Sequence, residues 1–283
     1  MRYSQDLFGS RLSITIHAED IDKNIVDHCF SETEKFEKKY SRFIKGNYLY
    51  ELNKNKSSQI DREFLSVINL CKKVSDITGG IFDITILPLL ENIGYGIEKD
   101  KLEENIGYKN IEINGQKIIL NNGASIDIGA VGKGYMVDKI YNILDTHFQS
   151  FIIDFGGDIR IKGKENIFLE DPNDDKKVIG SIELDDISIA SSSATKRKTS
   201  IGHHLISAKE KQSQNDKIAV YVTHKLSSFS DIFSTALFVC PLEKSIEILN
   251  KIDGLEGLII AKNGEIYKSR GFNCKLQSIG SKM

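Results

Sequence analysis

The stretch from Ser125 to Gly134 constrains the fold of this chain most, because it places a glycine-rich turn between two elements of different periodicity. Ser125 to Ile128 alternates like a half-buried strand, whereas Tyr135 to His147 has the spacing of an amphipathic helix. Glycines between them allow a tight turn, and the helix start offers unpaired N–H groups that favour an anion. The spacing matches neither a P-loop nor a dinucleotide fingerprint, and such a turn alone is more often a plain connection than a site.

The remaining periodicities predict a mixed α+β fold with antiparallel sheets flanked by helices. Two Asn-Gly pairs, at 114–115 and 263–264, predict hairpins, and the segment His204 to Ile206 reads as a short strand. We expect one domain over residues 1–268, in one body or in two lobes with the functional site between them, and a polar C-terminal tail at 269–283. Helices are predicted at Asp20–Tyr40, Asp61–Thr78, Tyr135–His147, Ser230–Val239 and Leu242–Ile252.

Composition excludes several classes of protein. The formal net charge is −2 over 283 residues, with both signs scattered, which argues against nucleic-acid binding and against electrostatic membrane attachment. The four cysteines are far apart, so neither a zinc cluster nor a disulfide framework is expected. No apolar signal core opens the chain and no run of about 18 apolar residues occurs, which favours a cytoplasmic protein without a membrane span. A chain whose export signal had been removed, destined for the periplasm or cell envelope, would have the same composition.

A carboxylate and a hydroxyl lie four residues apart at Asp231 and Thr235, so that a helix would present both on one face. Such an oxygen pair suits a hard cation such as Mg²⁺, which keeps several waters and commonly shares substrate phosphates. Helix capping by Ser230 or Asp231 with packing of Thr235 is the more frequent role of an isolated pair of this kind.

Other candidate residues are ambiguous one by one. One imidazole of His203 and His204 could accept a proton near neutral pH, or the pair could be structural. The segment Gly156-Gly157-Asp158 could receive ligand donors or form a tight strand connection. Lys133 has an unfavourable sign at a helix start, which a bound anion would explain.

Several motifs occur together in an order that resembles the ApbE family of FAD:protein FMN transferases, from Phe8 to about Leu258. The motifs are FGS from Phe8, LN from Leu52, FDITILPLLENIGYG from Phe82, IDIGAVGKGYMVD from Ile126, DFGGDIRIKG from Asp154, HHLI from His203 and SDIFSTALFV from Ser230.

The resemblance implies an ApbE-like, duplicated T-fold-like architecture and Mg²⁺-dependent transfer of FMN from FAD to a threonine of an acceptor redox protein, with release of AMP. It implies that the Ala130 carbonyl, Asp231 and Thr235 hold Mg²⁺ and that His204 assists proton removal, with Asp231 and His204 as the catalytic residues. The implied FAD contacts are Phe8, Gly94, Tyr95, Gly96, Asp127, Lys133, Gly157 and Asp158.

Two segments depart from the family pattern. His204 is followed by Leu205 rather than by the family's Ile-Ile-Asp-Pro-x-Thr-Gly continuation, and the family's Ser-Gly-x-Tyr-x-Arg appears as Ser192 to Arg197 without the glycine and the aromatic residue. Because the same site would also serve water as nucleophile, an FAD pyrophosphatase giving FMN and AMP is an alternative. A flavin-binding module without turnover is another. The acceptor and the oligomeric state are not encoded in any motif.

Overall fold

The structure is a computed structural model that describes residues 1–97, 102–195, 198–199 and 202–277. The helices are α1 (Lys23–Tyr40), α2 (Tyr48–Asn55), α3 (Arg62–Thr78), α4 (Leu87–Asn92), α5 (Gly132–Asp145), α6 (Ser227–Val239) and α7 (Leu242–Lys251). The strands are β1 (Arg2–Leu7), β2 (Ser10–Ile16), β3 (Ser57–Gln59), β4 (Ile111–Asn114), β5 (Lys117–Leu120), β6 (Phe151–Phe155), β7 (Asp158–Lys162), β8 (Lys164–Asp171), β9 (Asp174–Asp185), β10 (Ser188–Ser193), β11 (Lys198–Thr199), β12 (Gly202–His203), β13 (Ile206–Ser207), β14 (Gln212–Ser213), β15 (Lys217–His224), β16 (Glu256–Ala261), β17 (Ile266–Lys268) and β18 (Cys274–Leu276).

An eight-stranded sheet in the order β1-β2-β6-β7-β10-β15-β16-β17 forms the centre, and each neighbouring pair is antiparallel. Its strands bury alternate residues: Leu12, Ile14 and Ile16 of β2 are fully buried, as their period of two predicts. Helices α5 and α6 pack on one another and on strands β7 and β10, respectively. The predicted α+β class, with antiparallel sheets flanked by helices, is confirmed.

Smaller sheets surround the central one. Strands β8, β9 and β18 form a three-stranded antiparallel sheet, and β3, β5 and β4 form another. The hairpin between β4 and β5 was predicted, but its turn residues are Gly115 and Gln116 rather than Asn114 and Gly115, because Asn114 pairs with Lys117. Strand β18 lies within the segment predicted as a polar tail. Its residues Cys274–Leu276 are paired with β9, so this part of the tail is ordered against the sheet. Residues 278–283 of that tail lie outside the described residues, and the division of the chain into one domain or two lobes stays a prediction.

Two predicted strands are wrong in detail. Ser125–Ile128 makes a single bridge, between Ser125 and Ile86, and is no strand, because both backbone polar groups of Ile126 bond to the Asn53 side chain at 2.8 and 2.9 Å. The predicted strand His204–Ile206 is split: His204 follows the end of β12, and β13 begins at Ile206.

The described helices include none that is both long and apolar enough to cross a membrane. Cys29, Cys71 and Cys240 are buried as free thiols, which agrees with the expected absence of a disulfide framework among them.

Candidate active site at the junction of two helices

Helix α6 places Asp231 against the first turn of α5. Gly134 lies in that turn, where a backbone N–H has no partner within the helix, and it donates to Asp231 Oδ2 at 2.9 Å. A Cβ added at Gly134 would lie 2.5 Å from the carbonyl oxygen of Ser227 and 2.6 Å from Cβ of Asp231. The glycine therefore permits the close approach that brings Asp231 to the turn containing Ala130.

We expect Gly134→Ala to push α6 away from α5 and to cost about 1–3 kcal/mol of stability, as overpacking typically does. Gly132→Ala is the matched control, because its Cβ would meet only ordinary contacts, at 3.8 Å from the rings of Phe36 and Phe8. Thermal unfolding of both variants checks the prediction. Equal melting temperatures for the two would contradict it.

A second carboxylate and an ammonium group complete the cluster around Asp231. Lys133, beside Gly134, forms an ion pair with Asp158 at the start of β7, and Asp158 is 1% exposed. Burial raises the pKa of Asp231 well above its ordinary value, and the nearby charge of Asp158 raises it further, although Lys133 and the Gly134 N–H act in the opposite direction. With two carboxylates facing one ammonium group, the cluster favours an additional cation.

Gly157 and Phe8, both predicted to contact FAD, lie at turns next to this cluster. Gly157 precedes Asp158 with φ of +93°, and its N–H donates to Asp154 at 3.0 Å. The ring of Phe8 contacts the ring of Phe155 edge-on at 5.6 Å. Phe8 also lies beside Gly132, the first residue of α5, so both turns border the start of that helix.

Thr235 lies one helical turn after Asp231 on α6, as its spacing predicts. Its hydroxyl is 3.2 Å from the hydroxyl of Ser192, which also bonds to Ser234 at 2.9 Å. Strand β10, which carries Ser192, therefore fixes the direction of the Thr235 hydroxyl. Residues 196–197, which complete the altered Ser-Gly-x-Tyr-x-Arg segment, lie outside the described residues.

A second group of predicted residues is linked to the segment that precedes α5. Asp127 accepts an N–H from Gly129 at 3.2 Å and pairs with Arg42 Nε at 3.1 Å. The Arg42 guanidinium carbon is 4.7 Å from the centroid of the Tyr95 ring, and the Tyr95 ring is 5.6 Å from the ring of His204. The predicted Gly94–Gly96 turn and His204 are thereby joined to Asp127.

The neighbouring histidine, His203, has a structural role. Its Nε2 is 2.9 Å from the carbonyl oxygen of Gln214, its Nδ1 accepts the N–H of Leu205 at 3.2 Å, and it is 5% exposed. Burial lowers the pKa of His203, which favours the neutral form of the ring. The catalytic role of His204 stays a prediction.

Sequence reasoning did not find two residues that position the site. Asp138 of α5 accepts the N–H groups of Ser227 and Ser228 at 2.7 and 2.9 Å and so caps the helix that carries Asp231. Arg42 links the second group of residues. Asp138 closes the quoted motif from Ile126 and could have been noticed there, whereas the sequence around Arg42 carries no pattern that predicts its partners.

A cavity of about 290 Å³ lies elsewhere and shares no residue with the predicted site. Its buried carboxylate, Asp83, is already bonded to the N–H groups of Thr85 at 2.8 Å and of Tyr108 at 2.6 Å. Asp83 therefore holds the loop that lines this cavity in place.

Comparison with known proteins identifies one family. The sequence profile described as the ApbE family matches residues 8–259 of the chain. Among curated relatives, an FAD:protein FMN transferase of Haemophilus influenzae is 24% identical and the alignment covers 93% of this chain and 88% of that protein. The FAD:protein FMN transferase of Klebsiella pneumoniae is 22% identical, with 94% and 91% covered.

Solved structures show the same fold. The ApbE protein of Thermotoga maritima superposes with a TM-score of 0.87 at 24% identity, covering 96% of this chain and 97% of that one. The flavin transferase ApbE of Vibrio cholerae superposes with a TM-score of 0.81 at 19% identity, with 96% and 97% covered.

Proposed function

The chain belongs to the ApbE family, and on that premise we propose that it is a Mg²⁺-dependent flavin transferase that moves FMN from FAD to a threonine hydroxyl of an acceptor redox protein. One observation carries the proposal: the buried Asp231 carboxylate is held at the first turn of α5, beside the Lys133–Asp158 ion pair. That junction combines a carboxylate for a cation with an ammonium group and the positive end of the α5 dipole for a diphosphate.

The oxygen donors predicted for this junction suit Mg²⁺. The Asp231 carboxylate, the Thr235 hydroxyl and the Ala130 carbonyl are hard oxygen donors, and the Asp158 carboxylate adds negative charge beside them. In the parts of the chain that the structure describes, no three His, Cys, Asp or Glu side chains form a metal cluster. A cation that keeps waters and shares substrate phosphates needs few protein carboxylates, which agrees with this donor set. When bound, Mg²⁺ would neutralise charge on the diphosphate oxygens.

Transfer of this kind depends on alignment and charge neutralisation more than on covalent participation by the protein. Lys133 and the positive end of the α5 dipole would attract and orient the diphosphate. The threonine oxygen forms a bond to the FMN phosphorus while the bond from that phosphorus to the bridging oxygen breaks, and AMP leaves with the bridging oxygen. His204 takes the hydroxyl proton, and Tyr95, next to His204, would border the flavin.

We expect His204→Gln to slow transfer by about 10²–10⁴-fold, the usual contribution of a general base, while FAD binding is kept. Single-turnover transfer and the FAD-induced rise in melting temperature measure the two effects separately. His203→Gln is the matched control: it loses buried hydrogen bonds, so we expect lower stability but a transfer rate per folded molecule near that of the unaltered protein. A His204 variant with an unchanged rate would remove this residue from catalysis.

The function is tested by incubating the protein with FAD, Mg²⁺ and threonine-containing acceptor domains from sodium-pumping or Rnf-type redox complexes. We expect covalent FMN on the acceptor and one AMP released for each FMN attached. AMP released at the same rate without an acceptor would instead identify an FAD pyrophosphatase. Tight FAD binding with no AMP released in any mixture would identify a binding module.

A further inference from the structure

The guanidinium of Arg42 is buried between segments that the proposed function places around the flavin. Arg42 lies just after α1 and is 7% exposed. Its Nε is 3.1 Å from Asp127 Oδ1, and its Nη1 is 3.3 Å from Glu91 Oε1 at the end of α4. All three side chains are largely buried, so these are ion pairs shielded from water.

Aromatic rings cover the same guanidinium. Its carbon is 4.3 Å from the centroid of the Phe43 ring and 4.7 Å from that of Tyr95, within the range of favourable cation–π contacts. Phe43 is 51% exposed, so this aromatic surface is open on one side. The third guanidinium nitrogen, Nη2 of Arg42, is buried and has no hydrogen-bond partner.

Arg42 therefore fixes two backbone segments relative to each other. Through Asp127 it holds the start of the α5 turn. Through Glu91 it holds the Gly94–Gly96 turn, because a Cβ at Gly96 would lie 1.8 Å from a Glu91 carboxylate oxygen. A planar guanidinium can serve two carboxylates and a ring face at once, which the point charge of a lysine cannot.

We propose that Arg42 is a positioning residue that determines FAD affinity, acting through Asp127 and Tyr95. This inference rests on the proposed function, since it assumes that FAD lies against these two residues. Arg42 has two effects: it holds the two turns at the spacing FAD requires, and it neutralises the Glu91 and Asp127 carboxylates, which would otherwise repel the anionic substrate. Both effects act on FAD binding more than on the bond-making step.

The test compares R42M and R42K with the matched control R11M, which replaces an exposed arginine paired with the exposed Asp6. For R42M we expect the KM for FAD to rise about 10–100-fold with kcat changed less than about threefold, by analogy with residues that orient metal ligands. R42K keeps the positive charge but lacks the planar guanidinium that contacts both carboxylates. Its KM for FAD should therefore lie between those of R42M and the unaltered protein. R11M should bind FAD normally.

Adding Glu91→Gln to R42M removes one of the two carboxylate charges that the loss of Arg42 leaves uncompensated, and we expect it to recover part of the lost affinity. A normal KM in R42M, or no recovery in the double variant, would overturn the proposal, because a merely structural role lowers only the melting temperature. Should R42M fail to fold, R42K decides the question, and a normal KM in it would overturn the proposal. FAD affinity measured by flavin fluorescence keeps this test independent of transfer: if the unaltered protein modifies no acceptor, the proposed function fails while the affinities still report on Arg42.

Discussion

Asp231→Asn will reduce FMN transfer by on the order of 10³-fold or more, because a cation ligand is worth several kcal/mol and each 1.4 kcal/mol is tenfold in rate. Asparagine has nearly the same volume and can still accept the N–H of Gly134, so the junction of α5 and α6 should persist. What the substitution removes is the negative charge. Single-turnover transfer at saturating FAD and Mg²⁺ measures the loss.

The same substitution should stabilise the protein in the absence of metal and FAD. Burial and the charge of Asp158 raise the pKa of Asp231, so the unfolded chain releases this proton at lower pH than the folded protein does. The stability of the unaltered protein is therefore full below the ordinary carboxyl pKa and falls as the pH rises toward the raised value. The Asp231→Asn variant should not lose stability in this way as the pH rises, because its side chain does not ionise.

Melting temperatures measured across that pH range, without metal and without FAD, should accordingly be higher for Asp231→Asn at neutral pH. A variant that is more stable and yet inactive separates a functional loss from unfolding. A variant that retains transfer would exclude Asp231 from the cation site. A less stable variant would show that favourable contacts keep the Asp231 carboxylate of the unaltered protein ionised.

Asp138→Ala will destabilise the fold by about 3–5 kcal/mol, the usual cost of leaving a buried charge without its partner. Asp138 pairs with Arg160, whose side chain is 5% exposed, and it also accepts the N–H groups of Ser227 and Ser228 that begin α6. Its removal leaves the guanidinium and the helix start unsatisfied together. Because α6 carries Asp231, we expect weaker FAD binding as well.

Denaturant unfolding of Asp138→Ala measures this effect, and Asp145→Ala on the same helix is its control. Asp145 pairs with Lys162 at 2.8 Å but is 46% exposed, so its loss should cost less than about 1 kcal/mol. Similar losses in both variants would contradict the structural role assigned to Asp138.

Elements with local signals were predictable from the sequence. The helix expected at Asp61–Thr78 is α3, because Asp61 caps its first turn by accepting the N–H of Phe64 at 2.8 Å. It ends at Gly79, whose φ of +66° suits glycine. The hairpin between β4 and β5 was equally recognisable from its short glycine-containing turn, although the turn residues are Gly115 and Gln116, one position later than predicted.

Features that depend on distant residues were not predictable in the same way. Asn53 takes the backbone bonds of Ile126 from 73 residues away, which is why an alternating segment did not become a strand. The contact between Gly134 and Asp231 spans 97 residues, and only the resemblance to a family suggested that the two motifs meet. Arg42 has no local signal, because its partners come from α4 and from the turn before α5.

The coupling between FAD and Mg²⁺ tests the central claim most directly, namely that Asp231 and the α5 turn hold a cation against the diphosphate. FAD affinity is measured by equilibrium fluorescence titration with and without Mg²⁺, for the unaltered protein and for Asp231→Asn. We expect Mg²⁺ to tighten FAD binding in the unaltered protein, because two ligands that contact each other in one site favour each other's binding. We expect no effect in the variant, because it lacks the carboxylate that holds the cation. The same Mg²⁺ effect in both proteins, or none in either, would contradict the claim.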